Sequence, residues 1–155
     1  MTSYLTQPED STICGPVAII NVGRWSKHPV KKSLKDICEE VQCDSGGTPI
    51  RHIDKSLRKE FKKKLKVIKK RYCSVNEAKK HIEKGNALLL SFLFKNNEEE
   101  KDVSEHICLF TKVKDKKWYA HNLSFKKRTS IILEEDMYEY FYRWGRPHIW
   151  LLKKI

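Results

Sequence analysis

At 155 residues, with 39% hydrophobic and 34% charged side chains, the chain has the make-up of one globular domain, residues 1–155, with a sizeable core and a heavily solvated surface. Its formal charge of +12 favours encounter with an acidic or polyanionic partner. No run approaches the roughly 18 apolar residues of a membrane-spanning helix, which excludes a helical membrane protein.

The opening MTSYLTQPED has neither the basic start nor the apolar stretch of a secretory signal, so an intracellular protein, or one delivered or packaged by another route, is expected. In STICGPVAIINVGRW, Cys14 stands directly before Gly15 and Pro16, and Ala18, Ile19, Val22 and Trp25 follow near the helical period. Proline is tolerated only in a helix's first turn, which puts Cys14 at the start of a buried helix. A second helix is expected from about Ser33 to Val41, with Leu34, Ile37, Cys38 and Val41 on one face. GGTPIRHIDKSLRKEF then reads as a loop, a Thr48 cap with Pro49 behind it, and a third helix to about Phe61.

KLKVIKKRYC alternates and carries β-branched residues, predicting a strand near 65–72. SVNEAKKHIEKG has the capping-box pair Ser74 and Glu77 and a terminating Gly85. ALLLSFLF, residues 87–94, is a continuous apolar run of strand length and predicts a central strand. After the loop KNNEEEKDVSE, the runs HICLFTKV and KWYAHNLS form a hairpin turning around Lys114 to Lys116. Strand TSIIL, helix LEEDMYEYFYRW and strand PHIWLLKK complete the chain. Helices first and a mostly antiparallel sheet second make the fold class α+β.

A free cysteine is mostly protonated near neutrality, and a helix N-terminus or a neighbouring imidazolium lowers its pKa. Cys14 has the first by position. His106, at the start of its strand and so at the mouth of the sheet, is the candidate for the second. The hairpin returns Asn122 to the level of His106, and an asparagine carbonyl accepting from the imidazole completes a Cys-His-Asn arrangement.

The order Gln7, Cys14-Gly15-Pro16, His106 heading an apolar strand, and Asn122 resembles the papain-like bacteriocin-processing peptidases, also called double-glycine leader peptidases, and their stand-alone relatives. The resemblance implies a papain-like fold, Cys14 as nucleophile, His106 as general base and acid, Asn122 as its orienter, and Gln7 donating to the oxyanion with the Cys14 N–H. The chain departs from the commoner pattern in one extra residue between Gln7 and Cys14 and in Asn122 standing where aspartate is frequent. Members of that family are often fused to a membrane exporter; the resemblance here is expected to extend to the peptidase-like fold and chemistry and not to leader-peptide export.

The five cysteines, 14, 38, 43, 73 and 108, are odd in number and irregular in spacing, so free thiols are expected rather than a disulfide framework. Cys38, Cys43 and His52 are weakly spaced for a metal and lack a fourth ligand, which favours packing roles and no metal. Cys73 and Cys108 are expected to pack. His121 should point to the face opposite Asn122 and pack there, with a rival role as base; His28, His52, His81 and His148 have no partner pattern. Trp118, Tyr119 and Phe125 with nearby lysines are strand aromatics that also fit single-stranded nucleic acid, although lysine outnumbers the arginine that specific phosphate or base recognition favours. The Asp44-Ser45-Gly46-Gly47 stretch is a flexible loop that could border a cleft.

The expectation is therefore a monomeric cysteine peptidase or amide hydrolase acting on a protein or peptide through a thioester, with no metal or organic cofactor. The same machinery could deamidate or transfer an acyl group. A catalytically silent basic binding module is the reading from another class.

Overall fold

The computed structural model of the protein describes residues 2–8, 11–94, 104–124, 127–142 and 147–155. In chain order these form α1 (Cys14–Ser26), α2 (Leu34–Glu40), α3 (Ile50–Glu60), β1 (Leu65–Lys70), α4 (Val75–Glu83), β2 (Ala87–Phe94), β3 (Ser104–Lys114), β4 (Lys117–Ser124), β5 (Lys127–Leu133), α5 (Glu134–Tyr142) and β6 (His148–Lys154). The α+β expectation holds. Residues 95–103 of the expected loop, Phe125, and Arg143 and Trp144 of the expected last helix lie outside the described residues, while Ser104 and Glu105 belong to β3.

The six strands run in the order β1-β6-β2-β3-β4-β5, every adjacent pair antiparallel. β2 is interior and covered on both faces. Leu89 joins Ile107, Leu109, Trp150 and Leu152 under Ala18, Ile19, Val22, Ile37, Ile53 and Leu57 of the first three helices. Leu88, Leu90 and Phe92 join Cys108, Phe110 and Trp118 under Val75, Ala78 and Ile82 of α4 and Met137 and Phe141 of α5. Two apolar faces explain why ALLLSFLF does not alternate.

Local signals account for the element ends. Ser33 and Ser74 cap α2 and α4 by accepting from the N–H groups of Asp36 and Glu77. Gly85 stops the chain after α4 with φ +87°, a backbone state that costs glycine little. Asp115 and Lys116 both take positive φ between β3 and β4, the backbone of a two-residue hairpin turn. α3 differs from its sequence expectation. Pro49 occupies its N-cap position, no side chain caps it, and Thr48 is not the cap.

A bulge between Phe110 and Lys112 sets Thr111 outside the regular β3–β4 register. Its hydroxyl bonds His121 Nε2 at 2.6 Å, while Thr129 Oγ1 of β5 bonds Nδ1 at 3.0 Å. Tyr4 stacks on the imidazole with ring centroids 3.6 Å apart. His121 is thus a buried packing residue tying the N-terminal segment to three strands. Burial pushes its pKa down to about 4.

Because the folded value lies below the ordinary histidine value of about 6.5, the unfolded chain takes up the proton first, and the stability that neutral His121 contributes is lost as pH falls from about 6.5 towards 4. His81, His106 and His148 are shifted in the same direction by burial and add to the slope. Urea unfolding midpoints should therefore fall through this window in the parent protein and fall less steeply in His121→Gln. Parallel profiles would show that His121 is not buried in its neutral form.

Candidate active site

Cys14 is the first residue of α1, and no side chain caps the helix. The main-chain N–H groups of Ile107 and Gly15 lie at hydrogen-bonding position to its sulfur and favour the thiolate. Burial outweighs them and holds the thiol above its ordinary range, with the carboxylate of Glu105 adding in the same sense. A Cβ on Gly15 would sit 3.0 Å from Thr48 Oγ1 and 3.1 Å from Ile53 Cδ1, so the small residue after Cys14 lets the 44–48 loop close over the helix start. That loop is tied down by Thr12 Oγ1 donating to the Asp44 carbonyl at 2.6 Å and by an antiparallel bridge between Asp44 and Gly47.

A small cleft of about 70 Å³ opens there, lined by Cys14, Gly46, Gly47, Thr48, Glu105 and His106 among others. The structure thus brings Cys14 and His106 to one cleft and makes the glycine loop its wall. Thr48 Oγ1 is buried and makes no hydrogen bond among the described residues. A desolvated hydroxyl at a cleft wall gains a bond when a polar ligand enters.

His106 Nε2 lies 2.5 Å from the main-chain carbonyl of Asn122. A carbonyl only accepts, so Nε2 carries the proton and Nδ1 holds the basic lone pair in the neutral ring. Edge-on packing against Phe92, 6.3 Å between centroids, fixes the imidazole plane further. Burial lowers its pKa, opposed by the Asn122 carbonyl.

The orienting group differs from the expected one. Asn122 has φ +69°, and the β4–β5 register shifts between His121 and Ser124, so alternation breaks at this residue. Its main-chain carbonyl, not its side chain, accepts the hydrogen bond from the His106 N–H. The side chain faces Gln7 instead: Oδ1 accepts from the Gln7 N–H at 2.9 Å and Nδ2 donates to Gln7 Oε1 at 3.0 Å. Gln7 Nε2 donates to the Ser11 carbonyl at 3.0 Å. Gln7, Asn122 and His106 therefore form one bonded chain, whose His106 end shares the cleft with Cys14.

Three contributions were missed by sequence reasoning. Asn21 of α1 exchanges two hydrogen bonds with the backbone of Leu5, 2.7 and 3.0 Å, and seats the segment that carries Gln7. A buried asparagine on an otherwise apolar helix face was the available signal. Thr48, in a helix-cap pattern, and Glu105, in a loop-like stretch, carry no signal of a cleft role in the sequence. Among the other thiols and imidazoles, Cys108 is buried in the sheet, and burial pushes Cys73 up to about 12. His52 Nδ1 donates to the Val41 carbonyl at 2.8 Å, and no cluster of metal-ligating side chains occurs among the described residues.

Solved structures resemble this chain along nearly its whole length. The peptidase domain of Streptococcus ComA, a bifunctional ABC transporter involved in quorum sensing, superposes with TM-score 0.67 at 11% identity, covering 99% of this chain and 100% of that one. The fold is that of the C39 peptidases. A double-glycine motif protease from an AMS/PCAT transporter, solved with its leader peptide, gives 0.65 at 16% identity over 98% and 91% of the two chains. A C39-like peptidase from Bacillus anthracis gives 0.68 at 11% over 99% and 95%. No protein-family model and no curated protein sequence matches the chain. The expected resemblance to bacteriocin-processing peptidases and the expected papain-like architecture thus agree with the structural neighbours.

Asn122→Gly and Asn122→Ala separate backbone from side chain. Both delete the bonds to Gln7, but only alanine forces a Cβ into the left-handed region at φ +69°. Asn122→Ala should be the less stable by about 1 kcal/mol in urea titrations. Equal stabilities would contradict the strained-carbonyl account.

Proposed function

We propose that this protein is a papain-like cysteine peptidase acting on a peptide segment through Cys14 and His106. The observation that carries the reading is a helix-start cysteine sharing a cleft with a histidine whose Nε2 proton is held by a main-chain carbonyl. In the proposed reaction His106 Nδ1 accepts the Cys14 proton as Sγ attacks the scissile carbonyl. The oxyanion takes hydrogen bonds from the Cys14 N–H and from the second Nε2 hydrogen of Gln7, whose first is on Ser11. His106 returns the proton to the leaving amine, leaving a thioester on Cys14. Water, deprotonated by His106, then releases the acid and the thiol.

Asn122 serves this scheme twice, by orienting His106 through its backbone and by locking Gln7 through its side chain. Thr48 Oγ1 is suited to bond a substrate peptide group at the cleft wall. A peptide substrate follows the neighbour solved with a leader peptide. The chain's described helices include none long and apolar enough to cross a membrane.

Incubation with a peptide pool, read by mass spectrometry, tests the proposal. Chain scission is expected, with kcat reduced at least about a thousandfold in Cys14→Ser and in His106→Ala. A mass gain of about 1 Da at glutamine without scission would transfer the same thioester chemistry to deamidation. Peptides left unchanged by a folded protein would overturn the enzymatic reading in favour of a basic binding module.

A further inference from the structure

The exterior of the chain is strongly basic, yet the cleft beside Cys14 carries a carboxylate. Glu105 lines it from β3, one residue before His106, and is exposed at its mouth. Its position is held: Ser91 of β2, 2% exposed, donates its hydroxyl to Glu105 Oε1 at 2.9 Å. Among the described residues no ion pair involves Glu105, although Lys32, Lys59, Arg58, Lys70 and Lys79 all pair with carboxylates elsewhere. In the register, Ser91 lies opposite Ile107 on one side and His148 on the other. His148 is bonded by Lys69 Nζ at 3.3 Å, and although the Glu105 carboxylate favours its charged form, burial and Lys69 hold its pKa below the ordinary histidine value.

We infer that Glu105 is a specificity-determining residue that receives a lysine or arginine side chain of the substrate next to the bond presented to Cys14. The inference rests on the proposed peptide-binding cleft and names its substrate class. A carboxylate oriented by a buried hydroxyl, beside Cys14 and in no ion pair among the described residues, matches the distal charge of a basic residue. Net charge taken alone points to an acidic substrate; the cleft has the opposite local sign. Pairing also helps the chemistry. After burial, the Glu105 carboxylate is one of the charges that hold the Cys14 thiol up, and a substrate cation placed against it offsets that repulsion.

The test reads charge selection at Cys14 without requiring turnover. Cationic aminoethyl and anionic sulfonatoethyl methanethiosulfonate modify Cys14, rates are followed site by site by mass spectrometry, and each is normalised to N-acetylcysteine. In the parent protein the cationic reagent should lead by roughly fivefold, against the sign expected from the +12 net charge. Glu105→Gln, which keeps the acceptor for Ser91, should bring the ratio close to unity, and Glu105→Lys should invert it. An anionic preference in the parent, or a ratio unchanged in Glu105→Gln, overturns the inference. Matched peptides bearing lysine, norleucine or glutamate beside the cleavage site form the second arm. Scission without charge preference defeats this inference alone, whereas selective labelling with no scission leaves it standing and defeats the peptidase reading.

Discussion

Everything at the candidate site depends on α1 packing against the sheet with its first residue beside the start of β3. Ala18, Ile19 and Val22 are sealed against Leu89, Ile107 and Leu109, a burial of the kind that contributes about 1.5–3 kcal/mol per large side chain. That contact fixes where the helix begins, and with it the relation of the Cys14 sulfur to the Ile107 N–H and to His106 on the neighbouring residue. The remaining wall is then settled by size. A Cβ at Gly15 would meet the Thr48 and Ile53 side chains at 3.0–3.1 Å and require them to give by a few tenths of an ångström.

The electrostatics of the cleft describe a neutral pair at rest. Burial raises the Cys14 thiol and lowers the His106 imidazole, so each group favours its uncharged form. With Nε2 bonded to the Asn122 carbonyl, Nδ1 keeps the lone pair that the proposed mechanism requires for taking the Cys14 proton. The N–H groups of Ile107 and Gly15 lie ready for the anionic sulfur. On the proposed mechanism, such a cleft keeps Cys14 protonated when empty and relies on His106 to take its proton as substrate reacts.

Much of this was legible in the sequence because it rests on local rules. Pro16 confines Cys14 to a first turn, Ser33 and Ser74 cap their helices, and the apolar run 87–94 can only be an interior strand. Of the residues Gln7, Cys14, His106 and Asn122 singled out there, Cys14 and His106 line one cleft, and Gln7 and His106 are both bonded to Asn122. What sequence could not show is how they bond. Asn122 offers its backbone rather than its amide because a left-handed residue and a register shift break the strand's alternation, and neither is written in residue types. Thr48 precedes a helix that starts at Ile50, so a cap-type residue became a cleft hydroxyl through a one-residue shift. Glu105 belongs to β3 rather than to a loop, and its place beside Cys14 follows from pairing across β2.

The measurement that bears most directly on the account is the pH dependence of Cys14 alkylation by iodoacetamide, read site by site in the parent protein and in His106→Ala. General-base activation requires neutral His106, whose pKa lies below the ordinary value of about 6.5. The parent rate at Cys14 should therefore rise before neutrality and exceed that of Cys38 and Cys73 at pH about 7. In His106→Ala the same reactivity should appear only as the raised thiol of Cys14 ionises on its own, well into the alkaline range. A Cys14 that reacts no faster than Cys73, or whose profile is unchanged without His106, would contradict the pairing on which the catalytic account stands.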